Sequence, residues 1–318
     1  MDHPTAPDLF AQAGQAADEL QTMQDFIRWT VSRMNEAGIY FGHGTDNPWD
    51  EALLLVTHAL HLPWNLADEW RHSRLTRSER EAILDLVVAR IEQRVPAPYL
   101  TGVAWFCNLP FVVDERVLIP RSPIGQMIEQ NFAPWWQGDL HSGKPAPRRI
   151  LDVCTGSGCI GIACAVQFPQ AEVELLDISF EALEVAEENI HRHELQERVT
   201  ALQSDLFSAA SGKYDLIVSN PPYVDADDMH SLPEEYRHEP ELALAAGDDG
   251  LDLVRIMLKE ARQYLTDDGL LVLEVGNSWP ALVEAYPQLP FVWPTFERGG
   301  HGVFVLQARD LDLLSSID

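Results

Sequence analysis

Asn220-Pro221-Pro222-Tyr223 is a stretch whose residue types can do chemistry together. A carboxamide oxygen and a neighbouring backbone carbonyl both accept hydrogen bonds from one NH2 group. Two consecutive prolines fix φ and carry no N–H, so the loop is stiff and rich in acceptors. The Tyr223 ring offers a flat face to a planar group. Together the four residues make a clamp for a planar amide or an exocyclic amine. A plain proline turn with asparagine as its turn residue has the same composition, so the surroundings must decide. The apolar run from Tyr214 to Ser219 reads as a buried strand. The clamp then lies on the loop at a strand's carboxyl end, where open α/β sheets place their ligands.

A second constellation lies upstream. Leu151-Asp152-Val153-Cys154-Thr155-Gly156-Ser157-Gly158-Cys159-Ile160-Gly161 closes an apolar strand with a glycine-rich turn that opens a helix. Glycine lets the backbone approach a ligand, and a helix N-terminus favours anionic groups. Asp177 follows at the end of the next strand, near the spacing at which an acid binds ribose hydroxyls. Ser204-Asp205-Leu206-Phe207 ends the third strand. A carboxylate there accepts from an adenine amino group, and Leu206 covers the ring; the bland reading of Asp205 is a turn acid. Gly156 to Gly161 also satisfies G-x-G-x-x-G, so a nicotinamide-dependent oxidoreductase stays open at this point.

These loops need a sheet to hold them. Strands are predicted at Ile150–Val153, Val173–Leu176, Val199–Leu202, Asp215–Ser219 and Leu270–Val275, with helices at Cys159–Gln167, Phe180–His191 and Leu251–Tyr264. That alternation means a parallel, doubly wound sheet. Phe291–Phe296 and Gly302–Leu306 read as an antiparallel pair at its edge. Residues 1–101 read as a small helical domain, with an apolar stripe from Ile83 to Ile91 and a capping box of Ser78 with Glu81. Residues 102–124 read as a β-hairpin linker and 125–318 as the α/β domain. The polar, Pro- and Gly-containing connection Asn131–Arg149, with its long segment Gln137–Pro147, interrupts the start of the latter.

Composition narrows the partners. The 318 residues are 46% apolar and 23% charged, as in ordinary soluble proteins. No apolar run approaches a membrane span, and the N-terminus has no signal-peptide pattern. The four cysteines form no disulfide framework, which favours a cytoplasmic location. Cys154, Cys159 and Cys164 are spaced too widely around a helix for a metal, so none is expected. With 50 acidic and 22 basic residues the formal charge is −28. Such a surface repels DNA and attracts a basic protein.

The order of glycine turn, Asp177, Asp205 and Asn220-Pro221-Pro222-Tyr223 resembles the class I S-adenosylmethionine-dependent methyltransferases that act on amide or amino nitrogen. The helical N-terminal region and hairpin narrow the resemblance to the protein-glutamine N5-methyltransferases. Phe41-Gly42-His43-Gly44-Thr45-Asp46-Asn47-Pro48, Trp105-Phe106-Cys107 and Ile119-Pro120-Arg121-Ser122-Pro123-Ile124 are similar to the branch that modifies the third large-subunit ribosomal protein. The release-factor branch has Arg-Pro-Asp-Thr-Glu where this chain reads Arg121-Ser122-Pro123-Ile124-Gly125.

The resemblance covers nearly the whole chain and implies a seven-stranded Rossmann-like sheet. It implies S-adenosyl-L-methionine as cofactor, held by Asp152, Cys154, Thr155, Gly156, Ser157, Gly158, Asp177, Ile178, Asp205, Leu206 and Asn220. It gives Asn220, Pro221, Pro222 and Tyr223 to catalysis, and Arg121 and Pro123, with Asn220, Pro221 and Tyr223, to the substrate. The implied partner is a basic ribosomal protein, free or in assembly intermediates, and neither DNA nor membrane. A release factor as substrate, a nucleic-acid amino-methyltransferase and a non-catalytic assembly factor are the other readings.

Overall fold

The computed structural model describes residues 9–136 and 145–316; residues 137–144 of the polar connection noted above lie outside them. The chain forms two compact units. One holds the described residues up to Val103 together with Pro233–His238, the other Ala104–Leu232 and the described residues from Glu239 onward. Among the described residues no helix is long and apolar enough to cross a membrane.

In the first unit α1 (Leu9–Glu19), α2 (Met23–Glu36), α3 (Pro48–Ala59), α4 (Arg77–Glu92) and α5 (Ala97–Thr101) pack around Phe26, Ile27, Leu55, Ile83 and Val87. Side chains start three of these helices: Thr22 caps Asp25, Asn47 caps Asp50 and Thr76 caps Glu79. The capping box of α4 is therefore Thr76 with Glu79, two residues ahead of the expected Ser78 with Glu81. The Ser/Thr-x-x-Glu spacing occurs twice here. The earlier start also carries Arg80 to the open carbonyls of Ala17 and Leu20, at 2.8 and 2.9 Å.

Pro233–His238 belongs to this unit through a buried charge cluster. The Arg90 guanidinium donates to Glu51 at 2.6 Å, to Glu235 at 3.3 Å and to the Tyr40 carbonyl at 2.8 Å. All three charged side chains are essentially inaccessible, at 1–2% exposure. Buried charges are tolerable only when each is paired and hydrogen-bonded, and Glu51 gains a further donor in the Thr45 hydroxyl at 2.8 Å.

The second unit opens with the hairpin β1 (Val103–Phe106) and β2 (Leu109–Val112). Its turn residues Cys107 and Asn108 both have positive φ, 49° and 61°, which gives the twist a two-residue hairpin turn requires. Asn189, fully buried, takes the Val112 N–H and returns a bond to its carbonyl, at 2.7 and 3.0 Å, as a strand would. After α6 (Ile124–Glu129) come β3 (Arg149–Val153), α7 (Cys159–Gln167), β4 (Glu172–Asp177), α8 (Phe180–Arg192), β5 (Val199–Gln203) and β6 (Tyr214–Ser219). They are followed by α9 (Ala226–Ser231), α10 (Asp252–Glu260), β7 (Leu265–Glu274), α11 (Trp279–Ala285) and β8 (Val303–Gln307). The sheet order is β5-β4-β3-β6-β7-β8, parallel except for β8.

The seventh strand implied for Phe291–Phe296 is reduced to a single bridge between Val292 and Val305. Pro290 and Pro294 flank it, and proline cannot donate to a ladder. The expected helix Leu251–Tyr264 is likewise divided, with α10 passing into a 3-10 turn at Ala261–Gln263.

Removing Arg90 leaves the buried Glu51 carboxylate without its counter-charge, while Glu235 keeps Arg94 at 3.4 Å. Arg90→Met is expected to cost about 3–5 kcal/mol in urea unfolding; a loss under about 1 kcal/mol would show the cluster to be solvated.

Candidate active site

Strand register brings the predicted residues into one row. Val153 pairs with Ser219 on one side and with Leu176 on the other, and Asp177 pairs with Gln203. The loops that follow therefore stand side by side in the order Asp205, Asp177, Cys154, Asn220. Strands lie about 4.8 Å apart, so the row spans roughly 14 Å. Between β3 and β6 the winding reverses, and a crevice opens at such a switch point.

The glycine turn is tied to its neighbours by backbone bonds. Thr155 N donates to the Leu176 carbonyl at 3.0 Å, and Gly156 N donates to Asp177 Oδ2 at 2.8 Å. Ser179 N donates to the other Asp177 oxygen at 2.9 Å. Burial raises the Asp177 carboxyl above its usual range, against the pull of these N–H groups. Gly156 has a φ of +55° with open space where a side chain would stand. Gly161 is the opposite case: a Cβ there would lie 2.1 Å from Leu175 Cδ2 and 3.0 Å from Asp152 Cβ, so α7 presses directly on the sheet.

That pressure buries Asp152 completely. Its Oδ2 accepts from the Thr155 hydroxyl at 2.6 Å and from Gly161 N at 2.9 Å, while Oδ1 has no partner. Burial pushes this carboxyl up to about 7. Ser157 is buried, and its carbonyl accepts from Asn189 at 2.9 Å. Gly158 begins α7 at a φ of +81°. Ile178 is half exposed and Asp205 exposed, whereas Leu206 is buried with a φ of +46°. Cys154 is half-buried, its thiol pushed up by burial, and all four cysteines are free. Among the described residues no group of three or more His, Cys, Asp or Glu could hold a metal ion.

At the other end of the row the Asn220 side-chain oxygen is buried and has no hydrogen-bond partner. Pro221 and Pro222 behind it are buried. Tyr223 is held from several directions. Its phenol donates to Glu274 at 3.0 Å and its carbonyl accepts from the Ser278 hydroxyl at 3.0 Å. Gly276, at a φ of +45°, lies so close that a Cβ would come within 2.3 Å of the ring. Gly250, which ends the loop Gly247-Asp248-Asp249-Gly250, stands as close to the Tyr223 carbonyl. The same loop caps α10, since Asp249 accepts from Leu251 N at 3.2 Å and from Arg255.

Arg121 and Pro123 lie on the segment leaving the hairpin. The Arg121 guanidinium donates to both oxygens of buried Glu239, at 2.5 and 2.8 Å, and Ile119 N also donates to that carboxylate at 2.9 Å. Pro123 is packed against Gly300, where a Cβ would lie 2.4 Å from its Cγ. The resemblance puts His238-Glu239-Pro240 on the substrate side, with a loop capping the Leu251 helix as the other reading; sequence reasoning passed over Glu274. The signal available for Glu274 was a lone acid inside the apolar run Leu270–Val275.

A carboxyl whose folded-state affinity for protons exceeds its unfolded one stabilises the fold below its unfolded value and loses that contribution as pH rises. For Asp152 the interval runs from about 4 to about 7. Asp152→Asn is therefore expected to gain stability on the wild type as pH is raised through that interval, read from thermal unfolding without ligands. Parallel curves would contradict the buried acid.

The family described as "Methyltransferase small domain" matches residues 140–235. The ribosomal protein uL3 glutamine methyltransferase of Francisella tularensis subsp. tularensis is 48% identical over 297 residues, covering 92% of this chain and 92% of its own. That of Xanthomonas campestris pv. campestris is 50% identical over 297 residues, covering 93% and 94%. Among solved structures, the N-terminal domain of human METTL16 in complex with SAH aligns over 81% of this chain and 94% of its own, at 14% identity and a TM-score of 0.45. On the identity and coverage of the two relatives, the chain belongs to the family of ribosomal protein uL3 glutamine methyltransferases.

Proposed function

We propose that this protein methylates the side-chain amide nitrogen of a glutamine in ribosomal protein uL3, in the cytoplasm, with S-adenosylmethionine as the methyl donor. The observation that carries the reading is the buried, unpartnered oxygen of Asn220. An acceptor in that state calls for an N–H donor from outside the chain, and a glutamine amide brings two.

The residues of the row suit S-adenosylmethionine, which supplies an electrophilic methyl group on a positively charged sulfur. Asp205 and Asp177 offer acceptors for an adenine amino group and ribose hydroxyls, with Leu206 and Ile178 as apolar neighbours. Gly156 has open space beside it for close backbone approach, flanked by Thr155, Ser157 and Gly158. Cys154 lies between that turn and the clamp. The free Asp152 oxygen suits an ammonium group, whose charge would restore the ionised carboxylate.

An amide nitrogen is a poor nucleophile because its lone pair is delocalised into the carbonyl. Asn220 Oδ1 and the Pro221 carbonyl each take one amide hydrogen. This aims the nitrogen and stabilises the positive charge it acquires as its new bond forms. Neither proline competes for these acceptors, since neither has an N–H. Tyr223 covers the amide plane. Alignment of the reactants supplies much of the remaining rate. The nitrogen's surplus proton leaves to solvent after the bond has formed, so the chain needs no strong base. The −28 charge draws in a basic protein substrate.

Asn220→Ala is expected to lower turnover by about 10²–10³-fold, the scale of losing one aligned acceptor or donor at developing charge. Affinity for S-adenosylhomocysteine, measured by calorimetry, should change far less. Turnover near the wild-type rate would overturn the assignment.

A further inference from the structure

Glu274 closes β7 and is the single acid in the run Leu270–Val275. It is 5% exposed. Its two oxygens are occupied by hydroxyls from distant parts of the chain. The Tyr223 phenol donates to Oε1 at 3.0 Å and the Ser122 hydroxyl to Oε2 at 2.5 Å. The Ser122 oxygen in turn accepts from Ile124 N at 3.1 Å. Burial pushes the carboxyl up to about 7, against both hydroxyls and the nearby Arg121 charge. An apolar side chain would fill this space without the cost of burying a carboxyl. What it could not do is hold a phenol.

The rest of the environment of Tyr223 points the same way. A tyrosine side chain has two rotations, and its hydroxyl lies at the far end of both. The ring is confined by Gly276, and Gly276 by Gly302, whose Cβ would fall 2.2 Å from the Gly276 carbonyl oxygen. The Tyr223 backbone is fixed through Ser278 and Gly250. Packing thus limits the plane of the ring, and the bond to Glu274 sets where its end stands.

We propose that Glu274 is a positioning residue for methyl transfer, which through the Tyr223 phenol holds the ring of the clamp in register with Asn220 and Pro221. The inference rests on reading Asn220-Pro221-Pro222-Tyr223 as the amide clamp. Glu274 acts through Tyr223 and on no reacting atom itself. Ser122 anchors the acid from the opposite oxygen.

The test compares Glu274→Ala, Glu274→Gln, Tyr223→Phe and the Glu274→Ala/Tyr223→Phe double variant, with Asn220→Ala in parallel. The substrates are uL3 and S-adenosylmethionine, and melting temperature and S-adenosylhomocysteine affinity are recorded for each variant. Glu274→Ala and Tyr223→Phe should each lower kcat by about tenfold or more, the scale of a misaligned reactant. KM for uL3 and affinity for S-adenosylhomocysteine should move less. The double variant should be no slower than the slower single one, because both remove the same contact. Glu274→Gln keeps an oxygen for the phenol and should retain a kcat within about threefold of wild type.

Full kcat in Glu274→Ala or Tyr223→Phe overturns the proposal. So do losses that multiply in the double variant, or a Glu274→Gln enzyme that melts normally yet is as slow as the alanine variant. Should Glu274→Ala fail to fold, Tyr223→Phe and Glu274→Gln decide alone. An inactive Asn220→Ala beside a fully active Glu274→Ala removes the positioning role and leaves the clamp. An active Asn220→Ala removes both.

Discussion

Burying a polar oxygen without a hydrogen bond costs roughly 1–3 kcal/mol, and the loop after β6 carries such an oxygen at Asn220. A freer loop would turn the carboxamide to water or answer it with a backbone N–H. This one cannot. The next two residues are buried prolines with no N–H to offer, and Tyr223 beyond them is tied at its phenol by Glu274 and at its carbonyl by Ser278. Gly250 and Gly276 let the surrounding backbone close on Tyr223 where any side chain would collide. On the proposed function, an acceptor kept open at that cost is pre-organised for a ligand that brings its own donors.

The sheet decides what such a ligand meets. Because the winding reverses between β3 and β6, the clamp borders the glycine turn and, beyond it, Asp177 and Asp205. A second unpartnered oxygen, Asp152 Oδ1, lies beneath that turn. It is buried because Gly161 allows α7 to press on β3 and β4. Both acceptors are buried, without a hydrogen-bond partner, at the carboxyl ends of the neighbouring strands β3 and β6.

The elements of the α/β unit were legible because its strands are apolar runs bounded by glycine, proline and acidic turns, which periodicity detects. β7 was read only from Leu270. Its first half contains Asp267-Asp268-Gly269, which reads as a turn and lies in a register shift against β6, between the paired Leu265 and Leu270. The edge pair was half legible, for the prolines around Phe291–Trp293 leave only one bridge. What the sequence concealed are contacts between distant residues. Glu235 joins Arg90 and Tyr40 in the helical unit, and Glu239 takes Arg121. Neither acid has a local pattern to mark it. Glu274 did have one, an acid among apolar neighbours, but its partners Ser122 and Tyr223 emerge only when the sheet is assembled. The stretch Asn220-Pro221-Pro222-Tyr223 was legible in the sequence; the unpaired state of the Asn220 oxygen was not.

The most direct measurement is methyl transfer from labelled S-adenosylmethionine to undermethylated uL3, free and in large-subunit assembly particles, with mass spectrometry to locate the new methyl. A class I release factor runs in parallel. The account predicts label on the side-chain amide of a glutamine in uL3 and none on the release factor. Label confined to the release factor, or to neither protein, would contradict it.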